Sequence, residues 1–230
     1  AEAVAAEIVA AGGEAVADLN SVADEASAQA IVQGALDRWG RIDILVNNAG
    51  VGFLAGFDEI TSADIRTMID VHLMGTIWMC RAAWKPMLQQ EYGRIVNTTS
   101  GGMMGMQGMT VYGAAKFGIF GLTRGLAVEG AAHNIRVNAL SPGAATRNGT
   151  RHFSIPDPDA KRAFEHNFRP GLVSPAVAWL AHATCDVSGM LFHAGGGKVS
   201  SRQICMTEGI DDPDLTIESV QRGIETILDP

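Results

Sequence analysis

Four short apolar segments punctuate this chain, and each runs straight into small or polar residues. Residues 42–46 lead into Asn47-Asn48-Ala49-Gly50, and residues 94–98 end at Ser100. Residues 135–140 end at Ser141-Pro142-Gly143, and residues 189–193, read as the last strand, precede Gly195-Gly196-Gly197. Between them lie longer stretches with apolar residues three and four apart, the helical period. In residues 22–39, for example, Ala26, Ala30, Ile31, Ala35 and Leu36 share one face, and Gly40 stops the helix. Apolar runs of this kind are strands covered on both faces. Strands that alternate with helices imply right-handed crossovers, and so a parallel sheet with helices on each side. The fold expected is α/β: a doubly wound parallel sheet in three layers, α/β/α. In such a sheet ligands bind beyond the carboxyl ends of the strands. Asn48, Ser100 and Pro142-Gly143 all fall there.

The rest of the chain fits one domain. Residues 1–11 finish a helix that Gly12-Gly13 stops, and residues 15–19 form a short strand ending at Asp18-Leu19. Thr61 caps a helix that starts near Ser62, bends near Gly75 and runs towards Gln90. A loop over residues 101–110 holds four methionines, Met103, Met104, Met106 and Met109. They fill gaps in a core or form an adaptable wall for an acyl chain. A long helix spans residues 111–132, an irregular substrate loop residues 144–172, and a helix begins at Ser174-Pro175. Residues 198–230 form a carboxyl-terminal extension, helical from 216 to 228.

Composition excludes several functions. At 47% hydrophobic and 18% charged the chain is no disordered segment. A net charge of -8 excludes the basic surface that nucleic-acid phosphates require. No apolar run reaches the ~18 residues that would span a membrane. Three cysteines, far apart and odd in number, form neither a zinc nor a disulfide framework. Reduced thiols and a cytoplasmic setting are expected.

The chemistry gathers at Tyr112-Gly113-Ala114-Ala115-Lys116. Residues four apart on a helix lie one above the other. An ammonium group beside a phenol favours the phenolate and lowers its pKa from near 10. The phenol can then exchange a proton with a substrate hydroxyl or carbonyl.

With Asn47-Asn48-Ala49-Gly50, Ser100, Tyr112-x-x-x-Lys116 and Pro142-Gly143 in this order, residues 1–200 resemble the short-chain dehydrogenase/reductase family. The resemblance implies NAD or NADP as cofactor and a small-molecule substrate. It makes Tyr112 the general acid/base, Lys116 its activator and a ribose ligand, and Ser100 the holder of the substrate oxygen. Asp18 and Leu19 would contact the adenine end, and Asn48, Ala49 and Gly50 the ribose region. Pro142, Gly143 and Thr146 would line the nicotinamide pocket. Family members pair through the long helix, so a homodimer or homotetramer is implied, with Gly113, Gly118, Gly121 and Gly125 allowing close approach.

Three departures stand out. The glycine-rich turn of the family is not among these residues. The resemblance implies that an amino-terminal segment with the first two strands is missing, together with the residue that separates NAD from NADP. His72 stands where the family often has an asparagine that completes a proton relay; an ordinary core histidine is the alternative. The interval from serine to tyrosine is one residue shorter than usual. Counting from the strand selects Ser100, and counting back from Tyr112 selects Thr99; Ser100 is preferred because register fixes side-chain direction and loops absorb deletions. Asp18 could instead cap the next helix. Arg147 and Arg151 are solvated or contact a coenzyme A phosphate.

Further segments narrow the resemblance: Val71-His72-Leu73-x-Gly75, Arg81-Ala82-Ala83-Trp84, Tyr92-Gly93-Arg94-Ile95-Val96 and His133-Asn134-Ile135-Arg136. Arg169-Pro170, Val173-Ser174-Pro175 and Trp179-Leu180 belong with them. They are similar to the dehydrogenase part of peroxisomal multifunctional enzymes of type 2. The implied substrates are (3R)-3-hydroxyacyl-CoA or a hydroxysteroid. A non-catalytic nucleotide sensor or scaffold on the same fold is the alternative.

Overall fold

A computed structural model describes residues 1–146 and 155–229. Five strands form one sheet in sequence order: β1 (Ile44–Asn47), β2 (Gly93–Thr98), β3 (Ile135–Gly143), β4 (Leu191–Gly195) and β5 (Lys198–Arg202). The first four are parallel and β5 is antiparallel to β4. Helices α2 (Glu25–Trp39), α4 (Gly75–Gln90) and α5 (Thr110–Glu129) cover one face. Ala28, Val32, Met79, Cys80 and Met87 there meet Leu45, Ile95, Ile135 and Val137. On the other face α7 (Ser174–Ala181) packs Leu180 and Ala181 on Val96, Leu140 and Ala194. Each fully buried Ile, Leu or Met contributes roughly 1.5–3 kcal/mol. The three-layer α/β/α architecture is the expected one.

Local sequence rules explain most boundaries. The Thr61 hydroxyl accepts the Asp64 N–H at 3.1 Å and starts α3 (Ser62–Met68). Asp24 caps α2 through the Ser27 N–H at 2.8 Å, so Asp18 is not the cap. Helix α1 (Glu2–Ala10) buries no side chain. The bend expected near Gly75 is a π-helical turn at Ile69–Met74, joining α3 to α4 and centred on His72.

Four expectations are corrected. Residues 15–19 form no strand, because no described strand pairs with them; Val16 is 56% exposed and Leu19 80%. The run at 42–46 is not covered on both faces. Strand β1 lies at the sheet edge, and Ile44 and Val46 remain 47% and 42% exposed while Leu45 is buried. Residues 144–172 are not wholly irregular: α6 (Pro158–Asn167) begins where Asp157 caps the Asp159 N–H and Pro158 opens the first turn. The glycines after β4 do not end the sheet. Gly196 and Gly197, at φ +58° and +77°, make a two-residue hairpin turn into β5. Arg147 and Arg151 lie outside the described residues.

In the extension, α8 (Ile217–Arg222) and α9 (Ile224–Leu228) fold back, and Thr207 Oγ1 donates to the Ile227 carbonyl at 2.6 Å. Of the α5 glycines, Gly113 and Gly118 are spent within the chain, since a Cβ would stand 3.0 Å from the Gly102 carbonyl oxygen and 3.1 Å from Leu73. Gly121 and Gly125 face open space.

Candidate active site

The site forms where β2 ends and α5 begins. Past Thr98 the chain enters a 3₁₀ turn at Gly101–Met104, and the Ser100 hydroxyl accepts the Gly102 N–H at 3.2 Å. That bond holds the serine at the turn. Helix α5 presents Tyr112 and, one turn on, Lys116. The Ser100 hydroxyl and the Tyr112 ring both border Gly102, each 3.6 Å from where a Cβ there would stand, and the Ser100 side chain favours the phenolate. Lys116 is 3% exposed; its Nζ donates to the Thr98 carbonyl at 2.8 Å and lies 5.7 Å from the Tyr112 ring centre. The structure thus gathers Ser100, Tyr112 and Lys116. Thr99 points into the sheet's α5 side, 1% exposed and with no hydroxyl partner.

A buried amide chain sets the height of α5. Asn47 donates to Asn97 at 2.9 Å, Asn97 donates to the Thr123 hydroxyl at 3.0 Å, and Thr123 donates to the Ile119 carbonyl at 2.8 Å. With the Lys116–Thr98 bond, α5 is pinned at two levels.

His72 closes the site from the π-helical turn. Its ring stands edge-on to Tyr112, centres 5.2 Å apart. Nε2 lies 2.7 Å from the Val51 carbonyl oxygen and 3.3 Å from the Val51 N–H. The shorter contact puts the proton on Nε2, and Nδ1 is buried without a partner. The His72 carbonyl accepts the Thr76 hydroxyl at 2.7 Å. Gly50 must be glycine: a Cβ would stand 2.7 Å from His72 Cε1. Asn48 and Ala49 are exposed beside it, and Asn48 Oδ1 accepts the Thr98 hydroxyl at 3.1 Å. Pro142 and Gly143 close β3 next to Ala194 and Gly195, and Thr146 follows on the surface. Asp18 and Leu19 stay apart: Asp18 accepts the Asn20 N–H at 2.8 Å. Among the methionines, Met103 is buried with Phe120, Ala139 and Leu191, while Met104 and Met106 face outward.

The electrostatics differ from expectation at Tyr112. Burial raises its pKa above the usual value and the Ser100 side chain only partly offsets that. Lys116 gives no lowering there, because its own ammonium, lowered to about 8, is lost before the phenol titrates. Burial lowers Lys116 to about 8, so it is still mostly cationic at neutral pH. His72 is lowered to about 4, by burial first and by the Lys116 charge second, against the Val51 hydrogen bond.

His72 therefore makes a pH prediction. Its pKa is below the unfolded value, so the unfolded chain binds the extra proton between pH 6.5 and about 4. Stability should be fully present above pH 6.5 and fall with acidification, by at most roughly 3 kcal/mol from this group. Urea melts of wild type and His72→Asn across that range should show a flatter pH slope in the variant. Equal slopes would show that His72 is not the cause.

Sequence reasoning missed Thr98, which serves Lys116 through its carbonyl and Asn48 through its hydroxyl, and Thr76, which holds the His72 carbonyl. Thr76 had a signal: a hydroxyl four residues after His72 on a helix. Thr98 acts mainly through backbone, which side-chain patterns do not show.

The residues present suit the nicotinamide–ribose end of a dinucleotide. Lys116 has two N–H donors beyond the one on Thr98, Gly50 leaves bare backbone, and Asn48 and Gly143 sit at strand carboxyl ends.

Comparison with known proteins bears on the same stretch. The short chain dehydrogenase family model matches residues 1–154. The chain is 38% identical to peroxisomal multifunctional enzyme type 2 of Mus musculus, over 100% of this chain but only 30% of that protein. It is 36% identical to a 3-oxoacyl-[acyl-carrier-protein] reductase of Synechocystis sp., over 86% of this chain and 82% of the relative. A short chain dehydrogenase of Mycobacterium avium superposes with a TM-score of 0.82 at 34% identity, covering 100% of this chain and 80% of its own. The sheet and its flanking helices agree with these matches: the chain belongs to the short-chain dehydrogenase family.

Proposed function

We propose that the protein interconverts a secondary alcohol and its ketone with NAD or NADP, on a (3R)-3-hydroxyacyl-CoA or, as the second candidate, a hydroxysteroid. The observation that carries this reading is the gathering of Ser100 and Tyr112 around Gly102 with the buried Lys116 ammonium 5.7 Å from the phenol ring centre. The name of one relative supports an acyl substrate: it is a 3-oxoacyl-[acyl-carrier-protein] reductase.

When bound, the nicotinamide supplies or takes up the hydride. The chain does the rest. Ser100 holds the substrate oxygen. In reduction the Tyr112 phenol gives its proton to that oxygen, and in oxidation the phenolate takes the proton back. At neutral pH, where Lys116 is still cationic, its charge favours the transient phenolate, and its two remaining donors would hold the cofactor ribose together with Asn48 and Gly50, while Pro142, Gly143 and Thr146 would hold the nicotinamide. His72 packs the phenol ring in place. Because burial holds Tyr112 protonated at neutral pH, the acid role leads there and oxidation should accelerate as pH rises. The exposed α5 stripe with Gly121 and Gly125 is where a second copy would pack, as a homodimer or homotetramer.

The test is turnover. The protein with NAD or NADP and a panel of (3R)-hydroxyacyl-CoAs and hydroxysteroids should develop the absorbance of the reduced cofactor. No turnover with either class removes the substrate assignment. Nucleotide binding without redox activity on any alcohol would establish the sensor or scaffold reading.

A further inference from the structure

Among the described residues, Thr99 Oγ1, Ser141 Oγ, His193 Nδ1 and Arg202 Nη1 are buried without a hydrogen-bond partner. They lie together. The β3–β4 register pairs Ser141 with His193. The β2–β3 register, carried one residue past Thr98 and Leu140, sets Thr99 beside Ser141, and the Thr99 N–H donates to the Leu140 carbonyl at 2.7 Å. Paired residues project from the same side of a sheet. That side is the α5 side: Asn97, two before Thr99, bonds Thr123, and Leu191, two before His193, packs on Phe120. Arg202, opposite Leu191 on β5, reaches the turn that follows Ser100. Its terminal nitrogens lie 3.6 and 3.7 Å from where a Cβ on Gly101 would stand. Thr99 and Ser141 are 1% and 0% exposed.

Strand spacing says what joins them. Neighbouring strands are about 4.8 Å apart. Two hydroxyls at that separation are too far for a direct bond of about 2.8 Å. They match the span of a water that bonds both, about 4.6 Å at a tetrahedral angle. Buried polar groups in native proteins find protein or ordered water partners. Two hydroxyls and a ring nitrogen offer donors and acceptors without a negative charge, a set for water rather than for a metal ion. Arg202 also lines an open cleft of about 560 Å³ with Phe117, Phe120, Arg124 and Ile204, so the row has a route to solvent.

We propose that a row of ordered waters bridges Thr99, Ser141 and His193 behind Ser100 and meets solvent past Arg202. The row ties the strand end that carries Ser100 to the one that carries Pro142-Gly143. Thr99 and Ser141 are thereby positioning residues for Ser100. That role rests on the acid/base reading above; the waters themselves do not.

An atomic-resolution crystal structure of the full chain should show one water within hydrogen-bond reach of Thr99 Oγ1 and Ser141 Oγ, and a second between Ser141 Oγ and His193 Nδ1. Hydroxyls turned onto carbonyls of their own strands, with no density between them, overturn the row. Thr99→Val keeps the shape and should lose the first water. It should lower kcat roughly three- to tenfold with the cofactor KM unchanged, and Thr99→Ser should restore both water and rate. An unchanged kcat in Thr99→Val overturns the positioning role. A wild-type protein without turnover counts against the acid/base reading instead, and the crystallographic arm still decides the row.

Discussion

Tyr112→Phe is expected to lower kcat/KM for alcohol–ketone interconversion by about 10²–10⁴-fold. Only the hydroxyl is removed. The phenyl ring keeps its edge contact with His72, and Ser100 keeps the Gly102 N–H that orders it. Lys116 keeps its bond to Thr98, so the groups assigned to the cofactor stay in place. Nucleotide affinity should therefore change little, and stability by no more than about 1 kcal/mol. The burial that raises the Tyr112 pKa also means that no solvent proton donor replaces it easily. Initial rates in both directions, with cofactor binding by calorimetry, separate these terms. A variant within a few-fold of wild type would leave the proton to some other group and remove Tyr112 from the mechanism.

Arg94→Met should destabilise the fold by about 3 kcal/mol without touching the site. Arg94 is 2% exposed on β2, a position that reads as sheet interior. Among the described residues no carboxylate forms an ion pair with it. Its guanidinium donates to the carbonyls of Gly93 at 2.9 Å, Asn134 at 2.8 Å, Ala183 at 3.1 Å and His182 at 3.3 Å. It also lies 4.5 Å over the Tyr92 ring. Methionine fills the volume and removes the cost of burying a charge, yet it leaves these carbonyls without their donor. Three segments then lose a common tie: the start of β2 with Tyr92 before it, the left-handed turn at Asn134 and the loop after α7. For a chain of this size each kcal/mol moves the melting temperature about 2–4 °C, so a drop of roughly 6–12 °C is expected. A drop under about 2 °C would show that water takes over those carbonyls.

The same residue illustrates what was legible. The motif around Arg94 was noticed in the sequence for its likeness to relatives, but nothing local says that a cation lies buried among carbonyls from residues 40 and 89 positions away. By contrast the Thr61 cap and the alternation of strands and helices needed only neighbours in the chain. Two signals were present and missed: Asp157-Pro158 opens α6, and Gly196-Gly197 turns the chain into β5. Both are turn chemistry inside stretches that composition alone made look irregular.

By itself the sequence determined the layered α/β fold, the strand-end loops and the pairing of Tyr112 with Lys116, because periodicity, capping and helical spacing act over a few residues. Only the tertiary structure decided that β1 is a half-exposed edge, that Ser100 rather than Thr99 lies beside Tyr112, and that burial, not the lysine, dominates the phenol's pKa. Each of these depends on which distant atoms exclude water from a group, and desolvation is a property of the packed whole.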